Sequence, residues 1–492
     1  MEAEYQAEHT RFVSGHNGSD PMEILLVGAP VHGSHLLLIG LGQLLGLDYS
    51  SPLGSLLEWA VLVVPTLLSL TAWASITPQV AATLFTLALV TILMAATQTR
   101  AGASLTLGVR SSFVTNHRAL MIVFTTVGIL AVDFPVFPRK FAKTETFGYG
   151  WMDLGVGSFA FVNGLVSPEA RNVQHSLKKN LAGCTPLLVL GLIRLACVTC
   201  LGYHENITEY GAHWNFFFTL ASVRLLSSLV QVLVTSTKAV WVTSVAVAVM
   251  YEGLLTFYLA DWIMDTDTLR DNIVNSNREG LFSALGYLSI YLAGRKQYFY
   301  ITTTRNNYPY FHFSGVSWGR EVFELNKSVS ELMVMLRLLL LWTAVMWLSL
   351  GYSLTFFMPP SRRLANYAFF TWILAYNLTI LSFFLITDLI VIHLQSKSKS
   401  KIKGSRSKSS KDSLKTLETS SMYRCPNFVK AVDHNPLFFF LLANLLTGLI
   451  NMTVETINTE DNTAVLIIVS YQAILAIIVT CLHRCNIKLK CW

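Results

Sequence analysis

Charge is scarce in this sequence. Only 13% of its 492 residues are Asp, Glu, Lys or Arg, 53% are hydrophobic, and the mean hydropathy is +0.49. A soluble domain needs a polar exterior that these numbers do not supply. Alternating strand patterns are missing as well, which argues against a membrane barrel. The opening "MEAEYQAEHTRFVSGHNGSD" lacks the basic start and apolar core of a signal peptide, so the first apolar run is expected to direct insertion itself. Seven cysteines, an odd and scattered number, give no disulfide framework. Cys197-x-x-Cys200 sits in "LVLGLIRLACVTCLG" and reads as packed core rather than a redox or metal pair. No G-x-S-x-G elbow, Walker loop, H-E-x-x-H or Cys/His zinc spacing occurs. No repeat of apolar segments is visible, which weighs against a secondary transporter.

What the sequence does have is long apolar runs. They lie near 24–46, 56–75, 78–97, 119–137, 151–168, 183–202, 214–234, 240–260, 280–294, 332–354, 364–394, 434–453 and 463–482. Runs of this kind cross a hydrocarbon core of about 30 Å as helices. The expected fold is therefore all-α, a polytopic membrane helix bundle with about 13 transmembrane helices. The net charge of +7 owes much to one Ser/Lys segment carrying Lys397, Lys399, Lys401, Lys403, Arg406, Lys408, Lys411 and Lys415. A block of like charge beside a span stays in the cytoplasm, which orients the chain. The expected organisation is a polar, lumenal 1–23, a transmembrane catalytic core over 24–394, and a cytoplasmic linker over 395–430. Two last helices over 431–484 and a cytoplasmic tail over 485–492 follow. Sequons at Asn17 and Asn206 then face away from the cytoplasm, and one at Asn326 does not.

On that topology the unusual polar stretches collect at the non-cytoplasmic helix ends. They are "DFPVFPRKFAKTE" after the fourth span, "NITEYGAHWN" before the seventh, "NSNREG" before the ninth, "SRRLAN" at the eleventh and "TGLIN" ending the twelfth. Ionisable and amide groups beside hydrocarbon are costly unless they pair or line a wet cavity, so this convergence points to a shared site. Asp133 closes an apolar run where Pro135 and Pro138 disfavour continued helix. Burial and the carbonyl end of the helix dipole both oppose its charge, which suits a general base. Arg139, Lys140 and Lys143 follow on a Pro-bent segment that can fold back toward it. Spacing alone leaves two readings open: a base whose charge Lys143 sets, or a plain Asp–Lys bridge tying loop to helix. Asp265-Thr-Asp267 is a D-x-D element of the kind that binds a metal-bridged nucleotide sugar, which keeps a polytopic sugar transferase in view. A lipid-intermediate flippase is the non-enzymatic alternative.

The segments "AVDFPVFPRKFAKTE", "GYG" with "MDLGVGSFAF", "TEYGAHWNFFFT", "NSNREG", "SRRLANYAF" and "LLTGLIN" are specific and occur in order. Together they closely resemble the inositol acyltransferases of glycosylphosphatidylinositol (GPI) biosynthesis, the phosphatidylinositol-glycan class W family. The likeness runs from Phe12 to about Asn451 and departs where Arg139-Lys140 stands in place of paired arginines. It implies a multi-pass endoplasmic reticulum enzyme that moves a fatty acyl chain, typically palmitoyl, from acyl-CoA to the inositol 2-hydroxyl of glucosaminyl-phosphatidylinositol. Acyl-CoA is then a co-substrate and no further cofactor, nucleic acid or obligate protein partner is implied; membrane lipids surround the chain. Asp133 would be the base and Lys143 the group that sets its charge and steadies the oxyanion. His213, Trp214, Asn215, Asn277, Arg278 and Asn366, with Arg139, Lys140 and Glu145, are candidates for holding inositol, phosphate or glucosamine. Arg278 and Arg139 suit the lipid phosphate. Acyl-CoA is cytoplasmic while these motifs are expected on the other face. Either a cavity runs through the depth of the bundle or the orientation is reversed. In the former case Arg171, Lys178, Lys179, Arg295 or Lys296 would bind the coenzyme A phosphates.

Overall fold

The computed structural model describes residues 2–47, 49, 51–97, 112–168, 170, 177–201, 207–234, 237–265, 269–295, 298–299, 304–305, 308–309, 316–317, 329–404 and 426–489. The expectations placed on Arg171, Asn206, Asp267, Lys296, Asn326 and the linker over 405–425 lie outside the described residues, as do the side chains of Arg295 and of 394–404.

The helices are, in order, α1 (Glu2–Val13), α2 (Pro21–Val27), α3 (Ala29–Leu45), α4 (Pro52–Ser69), α5 (Thr77–Thr97), α6 (Ser112–Ala131) and α7 (Leu154–Leu165). They continue through α8 (Leu177–Ala182), α9 (Thr185–Leu201), α10 (Ile207–Tyr210), α11 (Phe216–Leu233), α12 (Thr237–Leu254), α13 (Ala260–Met264) and α14 (Ile273–Ser276). The rest are α15 (Arg278–Arg295), α16 (Val329–Phe356), α17 (Tyr367–Gly404), α18 (Asn427–His434), α19 (Pro436–Thr453) and α20 (Asp461–Arg484). A short parallel pair joins β1 (His16–Gly18) to β2 (Thr144–Tyr149). The all-α membrane bundle expected from the apolar runs is what forms.

Among the described residues, 11 stretches are long and apolar enough to cross a membrane. The fifth and ninth expected spans are helices of another kind. The fifth is α7, only 12 residues, about 18 Å long at the helical rise and short of the hydrocarbon core. The ninth is α15, whose first turn buries the charged pair Arg278 and Glu279. Cys197 and Cys200 are free and exposed on α9 rather than packed in a core, and Cys197 lines the cavity described below.

Contacts between helix termini define the two ends of the bundle. At one, Asp388 of α17 accepts hydrogen bonds from Ser112 Oγ (2.6 Å) and Phe113 N (3.1 Å), capping α6. Beside it Glu58 of α4 accepts from Asn427 N (2.7 Å) at the start of α18, and Arg118 pairs with Asp433 at 3.2 Å. At the other end the loops that open α7, α11, α15 and α17 meet the end of α6 and the end of α19, as the polar motifs predicted.

Close helix contact in the interior depends on glycine. A Cβ on Gly286 of α15 would stand 2.0 Å from the carbonyl oxygen of Ala365, and one on Gly294 would stand 2.1 Å from that of Phe161 in α7. Small residues let backbones approach in a membrane bundle, and backbone cannot move aside as a flexible side chain can. Gly286→Ala is expected to destabilise the purified protein by about 1–3 kcal/mol through overpacking. Gly351→Ala in α16, where nothing lies within 4 Å, is expected to be neutral or stabilising. Thermal unfolding in detergent compares the two.

Candidate active site

The most heavily buried ion pairs gather at the Asp133 end. Arg362, in "SRRLAN" ahead of α17, is buried; its Nε donates to Asp153 Oδ1 at 2.8 Å and its Nη1 to Glu209 Oε1 at 3.3 Å. Glu209, in the single turn α10, accepts Lys143 Nζ on both oxygens, at 2.8 and 2.9 Å. The Asp153 carboxylate also accepts from Thr144 N (3.1 Å), Thr144 Oγ1 (2.8 Å) and Gly150 N (3.1 Å). Those bonds hold β2 folded back beneath the end of α6 and so place the residue just before it, Lys143. Burial opposes the charge of Glu209, but Lys143 and Arg362 outweigh it and hold the carboxyl at about 2. Burial likewise opposes the charge of Arg362, and Glu209 with Asp153 outweigh it and push its pKa up.

Asp133 lies beside this chain of charges and has other partners. Its Oδ2 accepts Asn451 Nδ2 from α19 at 2.8 Å, and its Oδ1 is 3.2 Å from His9 Nε2 of α1. The direct Asp133–Lys143 bridge expected from spacing is not formed. The prolines do turn the chain back, but the returning segment is pinned by Asp153 and presents its lysine to Glu209. Arg139 on the same segment is committed to main chain: it donates to the carbonyls of Val132 (2.8 Å), Phe134 (2.9 Å) and Phe137 (2.6 Å) and lies over the Phe12 ring at 4.1 Å. It satisfies the carbonyl-rich end of α6, which leaves it unsuited to the expected phosphate role. Lys140 pairs outside with Glu23 at 2.6 Å, and Glu145 accepts Thr208 Oγ1 at 2.9 Å.

Asp133, Lys143, Glu209 and Asn451 form the polar mouth of a cavity of about 690 Å³. Its wall includes His117, Leu120, Met121, Phe124, Thr125, Gly128 and Ile129, one stripe of α6 at helical spacing along most of its length, with Asp133 just past the helix end. Tyr376, Ile380 and Phe384 of α17 form a second stripe. Ile193 of α9 and Leu445 of α19 line it too, and both are exposed on the outer surface, so the cavity meets the lipid-facing side between those helices. Arg194, also in its wall, lies near enough to Glu209 to lower its pKa.

Other residues singled out in the sequence turn out to build rather than line the cavity. Asn215 caps α11, accepting Phe217 N (3.1 Å) and donating to Gly191 O (3.0 Å). Asn366 ties the turn before α17, accepting Ser361 N (3.0 Å) and Phe369 N (3.2 Å). Asn277 accepts His213 N at 2.8 Å, and the His213 ring is exposed. Trp214 donates to Thr219 Oγ1 at 2.9 Å. Arg278 is buried away from the cavity, donating to the Asp265 carbonyl over the Trp262 ring and 3.9 Å from Glu279. The residues missed were Glu209, Arg362, Asp153 and Asn451. Glu209, Arg362 and Asn451 stood inside motifs marked as polar, and Asp153 in a segment that carried only the resemblance, but nothing local distinguished any of them from its neighbours. Arg194 was hidden in an apolar run.

The acid limb of stability follows from Glu209. Its folded value, about 2, lies below the ordinary 4.5. Its contribution is therefore complete above pH 4.5 and lost as pH falls toward 2. Unfolding measured across that range should show wild type losing stability with acid. Glu209→Gln, with Lys143 left unpaired and Arg362 held by Asp153 alone, should start less stable at neutral pH and lose less.

Comparison with known proteins agrees with this architecture. The GWT1 family model matches residues 5–482. The GPI-anchored wall transfer protein 1 of Eremothecium gossypii is 37% identical over 407 residues, 77% of either chain. The mouse protein named glucosaminyl-phosphatidylinositol-acyltransferase PIGW is 34% identical over 402 residues, 77% of this chain and 75% of that one. Its human counterpart is 33% identical over 399 residues, 76% and 74% of the two chains. Matched along nearly its whole length, the chain belongs to the GWT1 family.

Proposed function

We propose that this chain is a membrane O-acyltransferase of GPI-anchor biosynthesis in the endoplasmic reticulum. It takes a fatty acyl group, typically palmitoyl, from acyl-CoA and places it on the inositol 2-hydroxyl of glucosaminyl-phosphatidylinositol. The acceptor appears in the names of the mammalian relatives. The observation that carries the reading is a carboxylate and an ammonium group, Asp133 and Lys143, set together at the mouth of one long apolar cavity.

An alcohol is a poor nucleophile at neutral pH and needs a base as it attacks. Asp133 takes the inositol hydroxyl proton while the oxygen attacks the thioester carbonyl carbon. Asn451 holds the far carboxylate oxygen and so orients the other. The tetrahedral oxyanion forms within reach of Lys143, whose ammonium group keeps a hydrogen to donate beyond its two bonds to Glu209. The carbon–sulfur bond then breaks, coenzyme A leaves as thiolate, and the proton on Asp133 neutralises it. No serine or cysteine nucleophile is required. Arg139 and Arg278 do not line the cavity; Lys143 and Arg194 do, and they are the cations assigned to the lipid phosphate. The opening between α9 and α19 admits a lipid sideways from the bilayer.

Labelled palmitoyl-CoA and glucosaminyl-phosphatidylinositol, supplied to membranes carrying each variant, test the assignment. Asp133→Asn is expected to lower transfer by about 10²–10⁴-fold and Lys143→Ala by about 10²–10³-fold, with both proteins still accumulating. Full activity in both would remove these residues from the mechanism.

A further inference from the structure

The cavity changes character at the end far from Asp133. His32 of α3 lies in its wall, buried, with no hydrogen bond to either ring nitrogen. Its ring packs on Phe384 (centroids 4.6 Å apart) and Phe383 (5.0 Å). His117 stands beside this layer, its Nε2 2.9 Å from Asn377 Oδ1, while Asn377 Nδ2 donates to Ser158 Oγ at 2.9 Å. No described residue nearer the start of α6 than His117 lines the cavity, and Asp388 caps that helix end just beyond. A polar floor therefore closes an apolar shaft.

We infer that the imidazole layer of His32 and His117 is an acyl-chain ruler that sets the longest fatty chain this site accepts. The inference rests on the reading that an acyl chain occupies the cavity with its thioester at Asp133. From Asp133 to His117 the α6 stripe rises about 24 Å. An extended chain advances roughly 1.3 Å per methylene for carbon–carbon bonds of about 1.5 Å, so sixteen carbons reach about 19 Å. The chain's end then stops just short of the imidazoles. Further methylenes would press against ring nitrogens that gain no hydrogen bond from hydrocarbon, and their desolvation is not repaid. Shorter chains leave apolar wall uncovered. A selectivity for chains near sixteen carbons follows from the depth at which these two histidines sit.

The test compares rates across acyl-CoAs from C12 to C22 with glucosaminyl-phosphatidylinositol as acceptor, each normalised to folded protein. Wild type is expected to peak near C16 and to fall about tenfold by C20, the scale on which apolar pockets discriminate. His32→Ala, which loses no hydrogen bond and deepens the floor, should raise the C20:C16 rate ratio about tenfold. Leu120→Trp, roughly one turn nearer the mouth, should move the optimum down by two to four carbons. His32→Leu substitutes if the alanine variant does not fold, and should raise the same ratio by removing the polar floor. Profiles identical in shape for wild type and the His32 variant overturn the ruler while leaving the acyltransferase reading intact. Wild type that transfers from no acyl-CoA overturns both.

Discussion

Arg362 is the charge on which the site is organised. A buried guanidinium must be paired, and here the partners are Asp153 from the start of α7 and Glu209 from the turn before α11. Three distant parts of the chain are thereby brought to one point. Asp153 in turn fastens β2 through Thr144, and Glu209 positions Lys143. Breaking any one link leaves an uncompensated charge in a dry place, far costlier than losing a surface pair. The position of Lys143 at the cavity mouth is thus a property of the whole chain of charges. The lysine's own loop does not set it.

Two kinds of surface meet at that mouth. Inward lies an apolar shaft formed by one stripe of α6 and one of α17, suited to hydrocarbon. Outward lie Asp133, Glu209 and Asn451, held by elements that start or stop there. A reaction between an acyl chain and a sugar-like hydroxyl needs this division, because the two substrates are soluble in different media. Asp133 sits at the boundary, with Asn451 fixing one oxygen and the N-terminal helix contributing His9 beside the other. With His32 and His117 as its floor, the shaft is long enough for an acyl chain but does not run through the bundle, so of the two expectations for acyl-CoA entry a through-going cavity is the one it disfavours.

Much of this was legible in the sequence. Long apolar runs reveal an all-α membrane bundle because lipid permits little else. Polar motifs at alternate helix ends indicated a common site, and they do converge. Asp133 and Lys143 drew attention because a carboxylate after an apolar run followed by a proline bend is unusual, but spacing left base and bridge open and only the resemblance suggested a role for either. Their partners were not, since Glu209 and Asn451 are chosen by packing between elements 66 and 318 residues away in the chain. Asn215 and Asn366 were read as ligands when their positions are those at which helix starts demand a capping amide. The spans expected at 151–168 and 280–294 show the limit of hydropathy: it marks apolar helices well, but says less about one too short or one that buries charge in its first turn.

On this mechanism the acyl donor lies in the shaft with its reactive end at Asp133. A palmitoyl-CoA analogue carrying a photoreactive diazirine midway along the chain, cross-linked in membranes and mapped by peptide mass spectrometry, tests it most directly. Label is expected on the α6 stripe at Phe124 and Thr125 and on Ile380 of α17, competed by unlabelled palmitoyl-CoA. Label confined to lipid-facing positions such as Leu89 and Leu93 of α5, which are 58% and 57% exposed, would contradict it.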